Sequence, residues 1–312
     1  MSYKQQLEDI LGEGRIQEQK ELTSFFTIHV PVKAEYYFEA ETKEDILNAI
    51  GAVHSLRIPI KLIGGGSNFA VTTSLIKGLV VRNMYHKKEI EVSGGQVKVR
   101  VSSGYPLSRL IQELVREGIG GLEYHMGLPG TVGGAVAMNS NWANPMSFVG
   151  DHLIEATLVD EKGNIKKVDH DYFRFRYDYS TIKISREIIL ECVFKLVKGD
   201  SVELQEIAAK SLEHRKQTQP AASGSSGCFF QNLTDEEQEK FNLPTKSAGY
   251  LIDKAGLKNA MVGKFVISPV HANFILNTGG GTPQELGRMI ELVKKTVYEK
   301  FGIMLREEVE VI

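Results

Sequence analysis

From about residue 30 onward, apolar positions recur either every three to four residues or every second residue, and segments of the two kinds alternate. In "ETKEDILNAIGAVHSLRIP" the spacing of Ile46, Ile50 and Val53 predicts a helix. Thr42 with Asp45 forms a capping box at its start, and Pro59 marks its end. The apolar "IKLIGGGSNFAV" predicts a buried strand running into a glycine turn, and "EIEVSGGQVKVRVSSG" alternates around Gly94 and Gly95 as a hairpin does. A helix opened by a proline follows, with Leu107, Leu110, Ile111 and Leu114 on one face. A second hairpin, "LIEATLVDEKGNIKKVD", turns at Gly163.

Near residue 200 the texture changes, and a domain boundary is placed there, giving parts 1–200 and 201–312. Asp200 and Glu203 open a helix in which Leu204, Ile207, Ala208 and Leu212 share a face, ending before Pro220. The small-residue loop "PAASGSSGCFFQN" comes next. A last helix opens at Thr282, Pro283 and Glu285 and turns Leu286, Met289, Ile290, Val293 and Val297 inward. The terminal "IMLREEVEVI" reads as a strand. The pattern predicts an α+β fold with a shorter second domain.

Composition narrows the partners. The 312 residues are 42% hydrophobic and 24% charged with a formal net charge of -2, an ordinary soluble balance without a basic cluster. Nucleic acid is therefore not expected as a partner. Two cysteines, Cys192 and Cys228, have no spacing suited to a zinc site or a disulfide framework, so no metal is expected. No apolar run has the length of a membrane span, and the polar start "MSYKQQLEDILGEGRIQEQK" has no signal-peptide core. A cytoplasmic protein is expected.

Two glycine-rich loops remain, Gly64-Gly65-Gly66-Ser67-Asn68 and Gly127 to Gly134. Neither has the Gly-Lys-Ser/Thr of a Walker loop nor the spacing of a Rossmann turn. A strand running into glycine suits backbone N–H groups that must approach an oxyanion closely, because a Cβ would obstruct them. Taken singly, each loop also reads as a tight turn under a sheet; together they suggest a diphosphate.

"KLIGGGSNFAV" followed by "GLPGTVGGAVAMN" resembles the flavin-binding domain of the UDP-N-acetylenolpyruvoylglucosamine reductase family. The resemblance continues in order through "FRYDYSTIK", "HRKQTQP", "SGSSGCFFQN", "SAGYLIDKAGLK", "VHANFILN" and "LREEVEV", over nearly the whole chain, in the family's shorter subtype. It implies a two-subdomain FAD-binding domain of the vanillyl-alcohol-oxidase type, its internal boundary near residue 80, and then a smaller α+β substrate-binding domain. It implies that Gly64, Gly65, Gly66, Ser67 and Asn68 cradle the FAD diphosphate. Gly127, Pro129, Gly130, Thr131, Gly133, Gly134, Ala135 and Asn139 would wrap the cofactor.

The implied chemistry is reduction of UDP-N-acetylglucosamine enolpyruvate to UDP-N-acetylmuramate for peptidoglycan synthesis, with NADPH as electron donor, by an enzyme expected to be monomeric. The carbanion character that hydride delivery would leave beside the substrate carboxylate needs a proton donor and electrostatic support. Where the family carries a donor serine this chain has Cys228, whose thiol, with an ordinary pKa of about 8.5, is protonated at neutral pH. Outside the motif a cysteine is more often a small buried hydrophobe, which is how Cys192 is read. Glu308 matches the family's catalytic glutamate, set among Glu307 and Glu310. The family arginine that polarises the substrate carboxylate is replaced by Asp178; either Arg176 or Arg174 supplies the charge, or another cation does, or activity is impaired, and Arg176 is the candidate because strand alternation would put it on one face with Asp178. Tyr177, Arg215 and Asn232 match substrate-pocket positions. A different flavoenzyme on the same scaffold, or a catalytically silent flavin-binding relative, are the competing readings.

Overall fold

The computed structural model describes residues 1–220 and 224–312. In chain order the regular elements begin with α1 (Tyr3–Leu11), β1 (Gln17–Glu21), β2 (Lys33–Ala40), α2 (Lys43–Leu56), β3 (Ile60–Ile63), β4 (Phe69–Ala70), β5 (Leu75–Asn83), β6 (Lys88–Ser93) and β7 (Gln96–Ser102). There follow α3 (Leu107–Arg116), β8 (Ile119–Gly120), α4 (Val132–Met138), β9 (Asn141–Ala143), β10 (Met146–Phe148), β11 (Leu153–Val159), β12 (Ile165–Asp169), α5 (Ile182–Ser185), β13 (Ile188–Lys198) and α6 (Ser201–Thr218). The chain closes with α7 (Asp235–Lys240), α8 (Ala248–Lys254), β14 (Met261–Val262), β15 (Phe265–Ile267), β16 (Ile275–Asn277), α9 (Pro283–Phe301) and β17 (Glu310–Val311). This is the α+β composition that the pattern predicts.

Two compact units share these elements. One comprises Met1–Lys20, Ala34–Gly65 and Lys77–Arg215, the other Glu21–Lys33, Gly66–Ile76 and Lys216–Ile312. The first unit carries two sheets. A four-stranded sheet runs in the order β1-β2-β5-β3. Its core joins Phe38, Leu79 and Val81 to the apolar stripes of α1 and α2, Leu7, Leu11, Ile46, Ile50 and Val53. Thr42 and Asp45 close the capping box as their spacing predicts. A larger sheet runs β12-β11-β13-β7-β6, with β8 also on β13. Against it sit Leu107, Leu110, Ile111 and Leu114 of α3 and Val132, Ala135 and Val136 of α4. The β6–β7 hairpin turns through Gly94 and Gly95 at φ 56° and 79°, a left-handed pair that glycine adopts without a steric penalty.

The second unit gathers three stretches of chain. β14, β15 and β16 form an antiparallel sheet, and β17 pairs in parallel with β4. Phe26 and Phe69 meet edge to face, with ring centroids 5.4 Å apart. In α9, opened by the capping box of Thr282 with Glu285, the stripe Leu286, Met289, Ile290, Val293 and Val297 is buried.

Two expectations change. β3 is an edge strand, hydrogen-bonded to β5 alone, so only Ile63 is fully buried where a buried strand was expected. The terminal stretch pairs as a strand only at Glu310–Val311; before it Ile303, Leu305 and Val309 anchor an irregular segment, since alternating burial does not require a ladder partner. Within the loop expected over residues 220–232, Ala221, Ala222 and Ser223 lie outside the described residues.

Candidate functional site

In the first unit the two glycine stretches meet backbone to backbone. A Cβ on Gly65 would lie 2.5 Å from the Cα of Gly130, and one on Gly64 would lie 2.5 Å from Oγ1 of Thr131. No other residue allows that approach. Beyond Gly130 the chain becomes α4, capped by the Thr131 side chain, so Gly133, Gly134 and Ala135 lie in a helical turn instead of a loop. The Gly133 amide donates to the Ser103 carbonyl at 2.8 Å and the Val132 amide to Tyr105 at 2.9 Å. Gly133 thus serves the close approach of α4 to Ser103. Among the described residues the amides of Gly65, Gly130 and Thr131 donate to no protein acceptor. An exposed Gly65 stacked on Gly130, with uncommitted donors, fits a cofactor diphosphate.

Asn139 ends α4 in the left-handed conformation, φ 49°. Its Nδ2 donates to the Arg176 carbonyl at 2.9 Å, and its Oδ1 accepts from the Gly150 amide at 3.1 Å. Ser180 Oγ donates to the Ala137 carbonyl at 2.6 Å. These bonds fasten "FRYDYS" to the C-terminal end of α4. That segment is a tight turn, with reciprocal Arg176 and Tyr179 main-chain hydrogen bonds of 3.1 and 3.2 Å. Alternation therefore does not apply. Asp178 takes φ 48°, which aspartate tolerates better than most residues, and is 5% exposed with Asn141 Nδ2 donating to it at 3.2 Å. Arg176 and Tyr177 face solvent, and the Arg176 guanidinium lies 5.9 Å from the Tyr179 ring centroid. The expected shared face of Arg176 and Asp178 is overturned by the turn.

α6 brings Arg215 to the same unit's glycine loop. A Cβ on Gly127, at φ 82°, would lie 2.6 Å from Leu212. The Arg215 guanidinium sits 5.1 Å over the Trp142 ring, and its Nε and Nη2 are buried without a protein acceptor among the described residues. Burial lowers its pKa, yet a guanidinium stays charged and calls for an anion. Beside it His125 is fully buried, with Nε2 3.3 Å from Ser147 Oγ. Its pKa falls to about 4 through burial, then through the charges of Arg215 and His152. Sequence reasoning missed Trp142, His125 and His152; an aromatic beside a glycine loop was the only signal.

In the second unit, Gly66 at φ 64° packs against Phe25, and its carbonyl accepts from the Thr27 amide at 3.2 Å. The Asn68 carbonyl accepts from Glu310 at 2.9 Å, following Ser67 in the same turn. Cys228 is half-buried and forms an antiparallel bridge with Phe274. The Phe229 carbonyl accepts from the Glu308 amide at 2.8 Å, and Gln231 donates to Arg306 at 2.8 Å. Cys228 and Glu308 therefore stand on neighbouring hydrogen-bonded segments. Of the three terminal carboxylates, Glu307 is held by Lys294 at 2.7 Å, Glu308 is half-buried and Glu310 is exposed. Asn232 Oδ1 accepts from the Ala248 amide at 3.0 Å, fixing the start of α8.

Comparison with known proteins completes the picture. The family model described as "UDP-N-acetylenolpyruvoylglucosamine reductase, C-terminal domain" matches residues 219–312, and that described as "FAD binding domain" matches residues 34–169. UDP-N-acetylenolpyruvoylglucosamine reductase 1 of Bacillus anthracis is 33% identical over 300 residues, 96% of this chain and 95% of that protein. The chain belongs to the UDP-N-acetylenolpyruvoylglucosamine reductase family. Another relative in the family, the Bacillus subtilis (strain 168) reductase, is 31% identical over 96% of this chain and 94% of its own length. The crystal structure of the reductase from Thermus caldophilus matches with a TM-score of 0.74 and 29% identity, covering 95% of this chain and 97% of that one. Among the described residues no helix is long and apolar enough to cross a membrane, and no cluster of metal-binding side chains occurs.

Proposed function

We propose that this protein reduces UDP-N-acetylglucosamine enolpyruvate to UDP-N-acetylmuramate in peptidoglycan precursor synthesis, using FAD and NADPH. The observation that carries the reading is the pairing of the Cys228 segment with the Glu308 segment, which sets a thiol and a carboxylate on adjacent hydrogen-bonded segments of one unit. FAD, when bound, supplies the two-electron transfer from NADPH to the enolpyruvyl group. The protein's residues do the rest. The amides of Gly65, Gly130 and Thr131 receive the diphosphate, with Gly64, Gly66, Ser67 and Asn68 completing the cradle. Gly127, Pro129, Gly133, Gly134, Ala135 and Asn139 shape the wall.

Cys228 gives its proton to the substrate carbon that gains carbanion character, and Glu308 supports that transfer. Arg176, solvent-facing on its turn, steadies the substrate carboxylate, while the Asp178 side chain is turned inward and takes a hydrogen bond from Asn141 Nδ2. Arg215 meets a substrate phosphate through the buried nitrogens that find no acceptor among the described residues. Tyr177 and Asn232 are each assigned to substrate binding. The cofactor-holding part is assigned to residues 1–200 and the substrate-holding part to 201–312, in a monomeric cytoplasmic enzyme.

The test is anaerobic. After reduction by NADPH, adding the enolpyruvyl substrate restores the oxidised flavin band near about 450 nm with formation of UDP-N-acetylmuramate. Cys228→Ala slows that second stage by about a hundredfold or more and leaves the NADPH stage unchanged. A flavin that is reduced but never reoxidised by substrate points instead to the silent relative.

A further inference from the structure

The stretch that carries Cys228 is held from one side by a single side chain. Asn273 is 3% exposed. Its Oδ1 accepts from the Phe230 amide at 3.0 Å and its Nδ2 donates to the Phe230 carbonyl at 2.8 Å. The main-chain carbonyl of Asn273 accepts from the Phe229 amide at 2.9 Å. The carboxamide thus stands in for a peptide group, presenting one donor and one acceptor to one residue of a neighbouring extended segment. Aspartate has the shape without the donor, alanine has neither group, and glutamine displaces both by a methylene. Asn273 is itself fixed by its turn: its amide donates to His271 Nδ1 at 3.3 Å, and the Phe274 amide donates to the His271 carbonyl at 2.9 Å.

The opposite edge of the same stretch belongs to the terminal segment. Phe229 takes an Asn273 carbonyl through its N–H and gives its own carbonyl to the Glu308 amide at 2.8 Å. A continuous chain of hydrogen bonds therefore runs from Asn273 through Phe229 to Glu308, one residue beyond Cys228. Phe229 and Phe230, 0% and 1% exposed, keep water from replacing those bonds. We infer that Asn273 is a positioning residue that sets the register of the Cys228 thiol against Glu308. The inference rests on the reading of those two residues as the proton-transfer pair. Asn273 acts through the backbone of 229–230 and touches no substrate.

The experiment uses the full-length holoenzyme with Asn273→Asp and Asn273→Ala, and with Val293→Ala in the core of α9 as a control of matched thermal stability. Two readouts are taken. The first is the rate at which iodoacetamide alkylates Cys228, read by peptide mass; fully buried Cys192, its thiol pushed up by burial, is the internal reference. The second separates flavin reduction by NADPH from reoxidation by substrate. In the Asn273 variants the alkylation rate shifts by about threefold or more and reoxidation slows by about ten- to a hundredfold, with NADPH reduction unchanged. Val293→Ala leaves both as in the native protein. Asn273 variants indistinguishable from Val293→Ala in both readouts overturn the inference. If Cys228→Ala itself reoxidises normally, the proton-donor reading fails instead, and the positioning of the thiol is then decided by alkylation alone.

Discussion

At the scale of single residues, the two groups with the most unusual surroundings, His125 and Arg215, lie together in the first unit. His125 faces Ser147, His152 and Arg215, and its pKa of about 4 makes it neutral in the folded protein at pH values where an unfolded histidine is charged. The unfolded chain binds more protons between about pH 6.5 and pH 4, so the stabilising effect is complete above that interval and is lost as the pH falls through it. Replacing His125 by Gln is expected to remove a pH-dependent loss of about 2 to 3 kcal/mol between about pH 7.5 and pH 4.5. Urea unfolding at the two pH values measures it, and equal slopes for both proteins would sink the assignment. None of this was legible in "GLEYHMG", because a histidine's neighbours along the chain say nothing about a cation arriving from residue 215. Motif order pointed to Cys228 and Glu308, whose segments the fold does pair, whereas the conformation of Asp178 was not legible.

At the scale of elements, local signals worked where the local chain alone decides. Thr42 and Thr282 cap their helices as expected, and Gly94-Gly95 makes the hairpin. They failed where a distant partner decides, as in β3, whose edge position depends on β5. The stacked glycine loops give a prediction of this second kind. Gly65→Ala places a methyl group 2.5 Å from the Gly130 Cα, a clash between backbones that costs about 1–3 kcal/mol and weakens FAD retention by about ten- to a hundredfold. Flavin titration of the apoprotein reads it; unaltered affinity would return the loops to simple turns. Gly51 in α2 is the counter-example, exposed with nothing within 4 Å of an added Cβ. Gly51→Ala is expected to raise stability by about 0.5–1 kcal/mol and leave flavin binding alone.

At the scale of the whole molecule, the second unit is assembled from three separated stretches of chain. Asn277 Nδ2 donates to the carbonyls of Ile28 and His29 at 3.0 and 3.1 Å, Ser226 Oγ to that of Phe69 at 2.7 Å, and β17 finds its only strand partner, among the described residues, in β4. A fragment of residues 216–312 lacks all of those partners although it contains the entire match to the family's C-terminal domain. It is expected to lack cooperative unfolding and near-ultraviolet dichroism when produced alone. A fragment that melts cooperatively would show that residues 21–33 and 66–76 are dispensable for the unit.

The sequence by itself determined the α+β class, the helices and hairpins whose caps and turns are local, and, through an ordered series of motifs, the family. Such features depend on residues within a few positions of one another. The tertiary structure alone decided that Gly65 meets Gly130, that Arg176 and Asp178 part company across a turn, and that Asn273 pairs with the stretch beside Cys228. Each of those depends on hydrogen bonds or close packing between positions tens of residues apart, where periodicity carries no information.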